Sequence, residues 1–286
     1  MNIEKWLKNN TKNLDGKYIA ITGATGDLGE QVCIYLTMLN ANLILLTRNI
    51  EKTKILTQKL KKINQQIEII SIQIDMLDMK SVKNACEKLK VQKIDYFIHN
   101  AGAYKLERQK TEQGYDNVFQ SNFIAPYYIS KQLLNHGCKM IVVGSISYKT
   151  AKLQNQDIDY SNCKNVMKVY GNSKRFLMFS LEELTKVHDV KYAIAHPGIV
   201  YTNITSHYPK CIKWFVKFAM KLIFHKPKKA SLAIIKAVFE DCPQNTWFGP
   251  WLLGIWGKPK NKKLKISKSE QQQIFDHAEM IYENCN

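Results

Sequence analysis

Between Lys17 and about His196 the chain alternates short apolar runs with longer stretches in which apolar residues recur three and four apart. The short runs are YIAITG, NLILLTR, IEIISIQID, IDYFIHN, KMIVVGS and KYAIAHP, each bounded by turn or polar residues. They predict strands. The segments between them, such as those near Leu28–Leu39 and Val82–Leu89, predict amphipathic helices. Strand–helix alternation implies right-handed crossovers and a mostly parallel sheet with helices on both faces. No repeat, low-complexity linker or domain boundary interrupts the pattern. The expectation is therefore an α/β fold: a single doubly wound domain over residues 1–286, with 1–16 as an N-terminal extension and 258–286 as a C-terminal loop and helix.

In doubly wound (Rossmann) sheets, ligands bind beyond the carboxyl ends of the strands. The residues that follow each strand are the candidates for chemistry. After the first comes TGATGDLG, Thr22 to Gly29. Gly23, Gly26 and Gly29 let a backbone turn tightly and approach a pyrophosphate. Thr25, Asp27 and Leu28 complete the turn, and the helix behind it offers free N–H groups. Asp27 is the anomaly, an acid where an anion is expected. It is expected to face outward, toward the N–H groups of its own first turn. After the second strand comes Arg48, whose guanidinium can clamp a 2′-phosphate by paired hydrogen bonds. That reading points to NADP(H). After the third, Asp75 can accept from an adenine amino group, with Met76 beside it. After the fourth, Asn100, Ala101 and Gly102 let the chain pass close to a ribose. Ser145 and Ser147 follow the fifth strand, and Pro197, Gly198, Val200 and Thr202 follow the sixth.

Charge changes this picture little. The net charge of +18 favours an anionic cofactor or surface, but no like-charge block is long enough for a nucleic-acid arm. The densest run, KPKNKKLK near Lys258, is expected in a loop. Seven scattered cysteines without a CxxC pair predict neither a zinc site nor a disulfide framework. No signal core or membrane-spanning run is found, so a cytoplasmic protein is expected, with no metal and no nucleic-acid partner.

HNAG, the serine after the fifth strand, YGNSK and HPGIVYT occur in the order that resembles the short-chain dehydrogenase/reductase family, from about Lys17 to Thr202. IDMLDMKSV and GYDNVFQSNF are similar to retinol-dehydrogenase-like and protochlorophyllide-reductase-like members. The resemblance implies a catalytic set of Asn122, Ser145, Tyr170 and Lys174, with Tyr170 and Lys174 also touching the cofactor. Tyr-x-x-x-Lys alone decides nothing, because it starts at Tyr127, Tyr148, Tyr160 and Tyr170. Tyr170 is preferred because an amphipathic run follows Lys174, putting both on one helical face. The interval to Pro197 also leaves room for one helix and one strand. Ser147 is the alternative to Ser145. The tyrosine would act as general acid/base, helped by the nearby ammonium.

The resemblance implies a substrate lid over residues 203–227. Trp214, Phe215, Phe218, Leu222 and Phe224 give that segment an apolar face, and Lys213, Lys217 and Lys221 a basic stripe. A lid of this kind suits a lipophilic carbonyl or alcohol. A peripheral membrane contact through residues 211–225, and simple packing on the core, are the competing readings. Homo-oligomerisation is left open. Other functions carried forward are an epimerase or dehydratase of the family's extended branch, favoured by the early Gly26, and a non-catalytic NADP-sensing or membrane-surface binding protein.

Overall fold

The computed structural model describes residues 2–104, 107–198, 226–252 and 254–285. The apolar runs become β1 (Tyr18–Thr22), β2 (Asn42–Thr47), β3 (Ile69–Gln73), β4 (Tyr96–His99), β5 (Lys139–Val143) and β6 (Tyr192–Ala195). Two further strands, β7 (Thr246–Leu252) and β8 (Trp256–Lys263), extend the same sheet. The strand order is β3-β2-β1-β4-β5-β6-β7-β8, parallel throughout except for β8. The lysine-rich run at Lys258 is therefore a strand and not the expected loop. As the edge strand, β8 buries little but Pro259, so its sequence reads as polar.

The helices are α1 (Ile3–Asn10), α2 (Asp27–Met38), α3 (Ile50–Ile63), α4 (Met79–Lys90), α5 (Asn117–Phe119), α6 (Ala125–Gln132), α7 (Val166–Val187), α8 (Pro227–Ala230), α9 (Leu232–Phe239) and α10 (Lys268–Glu283). Side chains alternate across the central strands and are buried on both sides. Ile44, Leu46, Met140 and Val142 join α4, α6, α7 and α10 in one core. Leu43, Leu45, Ile141 and Val143 join α1, α2, α3 and α9 in the other. The N-terminal extension belongs to the second core through Trp6, Leu7 and Leu14. Fully burying such a side chain stabilises by roughly 1.5–3 kcal/mol.

The chain reaches one sheet edge at β3, then returns to place β4 against β1. From there it runs toward the opposite edge. The connections after β1 and β4 thus part in opposite directions and open a crevice at the carboxyl ends. Helix caps fix where each following helix starts. Asn49, Asp78 and Asn165 each accept a first-turn N–H with the side chain.

Candidate active site

The crevice is a cleft of about 1350 Å³. Every predicted cofactor residue that is described lines it: Gly23, Thr25, Gly26, Asp27, Leu28, Gly29, Arg48, Asp75, Met76, Asn100, Ala101, Gly102, Tyr170, Lys174, Pro197 and Gly198. Val200, Thr202 and positions 203–225 of the expected lid lie outside the described residues.

The glycines of the first loop have different reasons to be there. Gly23 leaves β1 at φ +66, and a Cβ on it would sit 2.9 Å from Ala101 Cα. A Cβ on Gly29 would fall 2.3 Å from the Gly23 carbonyl oxygen. Neither position tolerates a side chain. Gly26, at φ −81, has no such constraint, and its nearest neighbour would be 3.5 Å away. It is exposed at the start of α2, so its lack of a side chain leaves room for an anion against the first-turn N–H groups. The cradle thus fits a dinucleotide pyrophosphate. Its far wall is tied to the loop. Asn100 Nδ2 donates to the Thr22 and Gly23 carbonyls at 3.0 and 3.2 Å, and the Asn100 and Ala101 N–H groups donate to the Thr22 hydroxyl. Asp27 is exposed at the rim as the first residue of α2, and no hydrogen bond holds its carboxylate to the first-turn N–H groups among the described residues.

At the outer end, Arg48 has a side chain 71% exposed, with Nη1 3.9 Å from Asp75 Oδ2. The other Asp75 oxygen accepts the Leu77 N–H at 3.0 Å. Lys52, in the first turn of α3, also lines this end. Sequence reading passed it over, although its place one turn after Arg48 was visible.

At the inner end the groups are close, half-buried at Ser145 and Tyr170 and buried at Lys174 and Asn122. Ser145 caps the turn Ile146–Thr150, its hydroxyl accepting the Ser147 N–H at 3.2 Å, and it sits close enough to Tyr170 to pull that phenol's pKa down. Ser147, the alternative, turns its hydroxyl to the Met167 sulfur at 3.4 Å. Lys174 is 2% exposed, donates to the Val143 carbonyl at 2.9 Å, and lies 5.9 Å from the Tyr170 ring centre. Burial pulls its ammonium down to about 8. Burial also pushes the Tyr170 phenol up to about 12, against the opposing pull of Ser145, while the neighbouring Tyr104 raises it further. Lys174 is not the group that lowers the Tyr170 phenol, contrary to the expectation from its spacing. Desolvation dominates, and the group that pulls the phenol down is Ser145.

Asn122 sits in a π-helical turn, Gln120–Ile124, between α5 and α6. Such turns are rare and collect at functional sites. The side chain is fully buried behind Gly102. It accepts from Ala103 N at 2.6 Å and donates to the Ala103 carbonyl and to Ser173 Oγ. It therefore clamps the Asn100–Ala103 segment against α7.

The rival tyrosines are spent elsewhere. Tyr127 bonds Glu279. Tyr148 accepts from Lys265 N at 3.0 Å. Tyr160 bonds the Lys152 main chain. Of the four, Tyr170 alone is a cleft residue among those described. Its neighbour Gly171, unremarked in the sequence, makes the approach feasible. A Cβ there would meet the Ser147 carbonyl oxygen and Thr150 Oγ1 at 2.2 Å. Tyr104 and His196 also line the inner cleft and had no signal in spacing alone. No group of metal-ligating side chains occurs among the described residues.

The short chain dehydrogenase family profile matches residues 17–211. The human protein named polyprenol dehydrogenase is 25% identical over 280 residues, covering 90% of this chain and 82% of that protein. Human retinol dehydrogenase 14 is 25% identical over 217 residues, covering 68% and 65%. The solved short-chain dehydrogenase from Sphingobium yanoikuyae in complex with NADPH superposes with a TM-score of 0.58 at 15% identity, covering 78% and 84%, and shares the fold. With the profile spanning more than half of the chain and landmark residues gathered in one cleft, this protein belongs to the short-chain dehydrogenase/reductase family of oxidoreductases, with relatives of retinol dehydrogenase type.

Proposed function

We propose that this protein is an NADP(H)-dependent oxidoreductase that interconverts a lipophilic ketone or aldehyde and its alcohol, with Tyr170 as general acid/base. The observation that carries the reading is Tyr170 beside Ser145 and one helical turn from buried Lys174, at the inner end of a dinucleotide-sized cleft.

The bound nicotinamide would supply the hydride in reduction. The chain's own residues handle the oxygen and the proton. Ser145 orients the substrate oxygen beside the Tyr170 hydroxyl. A phenol pushed up to about 12 is protonated near neutrality and is therefore ready to donate to a developing alkoxide. Lys174, held at about 8, can pass a proton onward at little cost close to working pH. Asn122 acts as a positioning residue through its bonds to Ala103 and Ser173. Ile146, Met167 and Tyr104 give the wall beside Tyr170 an apolar surface, which supports a lipophilic substrate.

Preference for NADP(H) rests on Arg48 and Lys52 at the outer end, two cations against one acid, Asp75. Solved relatives with NADPH in their names, such as the 3-quinuclidinone reductase of Rhodotorula rubra (TM-score 0.59, 17% identity), lend support. A cytoplasmic site of action fits the absence, among the described residues, of any helix long and apolar enough to cross a membrane. The test is an NADPH-oxidation screen over ketones, long-chain aldehydes and quinones, with Tyr170→Phe in parallel. Turnover by that variant equal to the parent would refute the assignment of Tyr170.

A further inference from the structure

The β7–β8 hairpin is the part of the sheet least explained by the reaction. Because β7 runs parallel to β6, its carboxyl end emerges on the same edge as the cleft. Its first half is core, with Trp247 4% and Phe248 1% exposed. Its end is the reverse, with Trp251 51% and Leu252 42% exposed. The chain turns back through Gly254, at φ +72, to pair Leu252 with Trp256.

Two contacts hold this tip in place. A Cβ on Gly257 would lie 2.1 Å from the Trp251 ring, so the indole rests directly on that glycine. A Cβ on Gly254 would meet Ile146 Cδ1 at 3.3 Å, and Ile146 lines the inner cleft. The exposed indole is thus braced beside the inner cleft.

Charge runs along β8, with Lys258 and Lys260 in the half nearer the tip and Lys262 and Lys263 opposite Trp247 and Thr246 at the far end. Residues 246–265 contain lysines at 258, 260, 262, 263 and 265 and no acid. None of the five takes part in an ion pair among the described residues, and all but Lys262 are exposed. Exposed Lys149 adds a further cation on the cleft wall.

We propose that the β7–β8 hairpin docks the protein on an anionic membrane surface, with Trp251 and Leu252 entering the interface and Lys258 and Lys260 meeting the lipid head groups. An indole with one apolar and one polar side is suited to that depth. Lysines near an anionic surface add attraction that falls with salt. A second copy of this chain fits less well. The β8 edge would bring like charges together, and proline with lysine on an edge strand discourages pairing. The apolar tip is also far smaller than a stable protein interface of roughly 1,600 Å². Docked in this way, the inner end of the cleft lies on the side of the bilayer, where a lipophilic substrate dissolves. That last consequence rests on the proposed activity, whereas the docking itself does not.

Vesicle flotation of the full chain tests the docking without any turnover. Vesicles of phosphatidylcholine alone are compared with vesicles containing about one-third phosphatidylserine. The full chain should float with the anionic vesicles, and raised salt should weaken this. Trp251→Glu with Leu252→Glu should abolish flotation. Lys258→Glu with Lys260→Glu should weaken it by at least roughly tenfold. NADPH binding, read by fluorescence, should be unchanged in both variants and reports that they are folded. Equal flotation on the two lipids, or undiminished flotation of the Trp251/Leu252 variant, overturns the proposal. So does a sedimentation shift from dimer to monomer in that variant without loss of flotation, which would make the tip a contact between copies. Failure of the protein to reduce any carbonyl would leave a positive flotation result standing.

Discussion

At the outer end of the cleft, Arg48 reaches into solvent with its nearest acid 3.9 Å away. At the inner end, Lys174 is 2% exposed and its ammonium is fastened to the Val143 carbonyl. Both are cations on one ligand-binding surface, and their physics differs. Water and salt screen the first, so in the proposed function it would sort cofactors by charge and take a fixed geometry only on a phosphate. Burial pulls the ammonium of the second down to about 8, because the charged form loses its hydration. Selection can sit at an exposed, adaptable end, while proton handling needs a desolvated, rigid one.

The comparison breaks most sharply at Tyr170. Tyr170→Phe should lower kcat by on the order of 10³ or more while the NADPH dissociation constant changes little. Stopped-flow turnover alongside fluorescence titration separates the two quantities, and a large loss of binding would mean that the ends are not independent. Next in size is the outer end. Arg48→Asp should weaken NADPH by roughly ten- to a hundredfold through lost charge-assisted bonds, while NADH changes little. The gap should narrow as salt rises, and an NADPH affinity indifferent to both changes would remove Arg48 from the site.

Ser145→Ala against Ser147→Ala sharpens the inner end. The first should cost about tenfold or more in kcat, the second less than about threefold, since Ser147 bonds Met167 and not Tyr170. Comparable losses would reopen the alternative that the sequence allowed. The smallest effect is on pH dependence. As pH rises through about 8, Lys174 loses its proton and carbonyl reduction should decline. Stability moves the other way. Between about 8 and 10.5 the unfolded chain holds the Lys174 proton that the folded chain has released, so unfolding becomes costlier by up to about 3 kcal/mol from this group. Denaturant melts of the parent and Lys174→Met across that range measure the difference, and parallel curves would show that the ammonium is not desolvated.

The nucleotide half of the cleft was the more legible. Its strands, glycine turn and caps are local patterns, and Gly23, Gly29, Asn100 and Arg48 lie where short stretches of sequence put them. The chemical half was legible only as candidates. Four Tyr-x-x-x-Lys pairs look alike in one dimension, and their separation depends on where each hydroxyl goes. Strand β8 was missed because an edge strand exposes what it carries, so solvated lysines masked its pairing to β7.

What this sequence determined by itself is the doubly wound frame and the carboxyl-edge location of its site. Both follow from the period of apolar residues and from the sterics of short turns. What only the tertiary structure decided is which serine lies beside Tyr170, how burial moves Tyr170 and Lys174, that Asn122 braces the cleft from inside a π turn, and that Trp251 stands exposed near its inner end. Each of those depends on groups distant in the chain meeting in space, where desolvation and hydrogen-bond direction, rather than residue type, set the outcome.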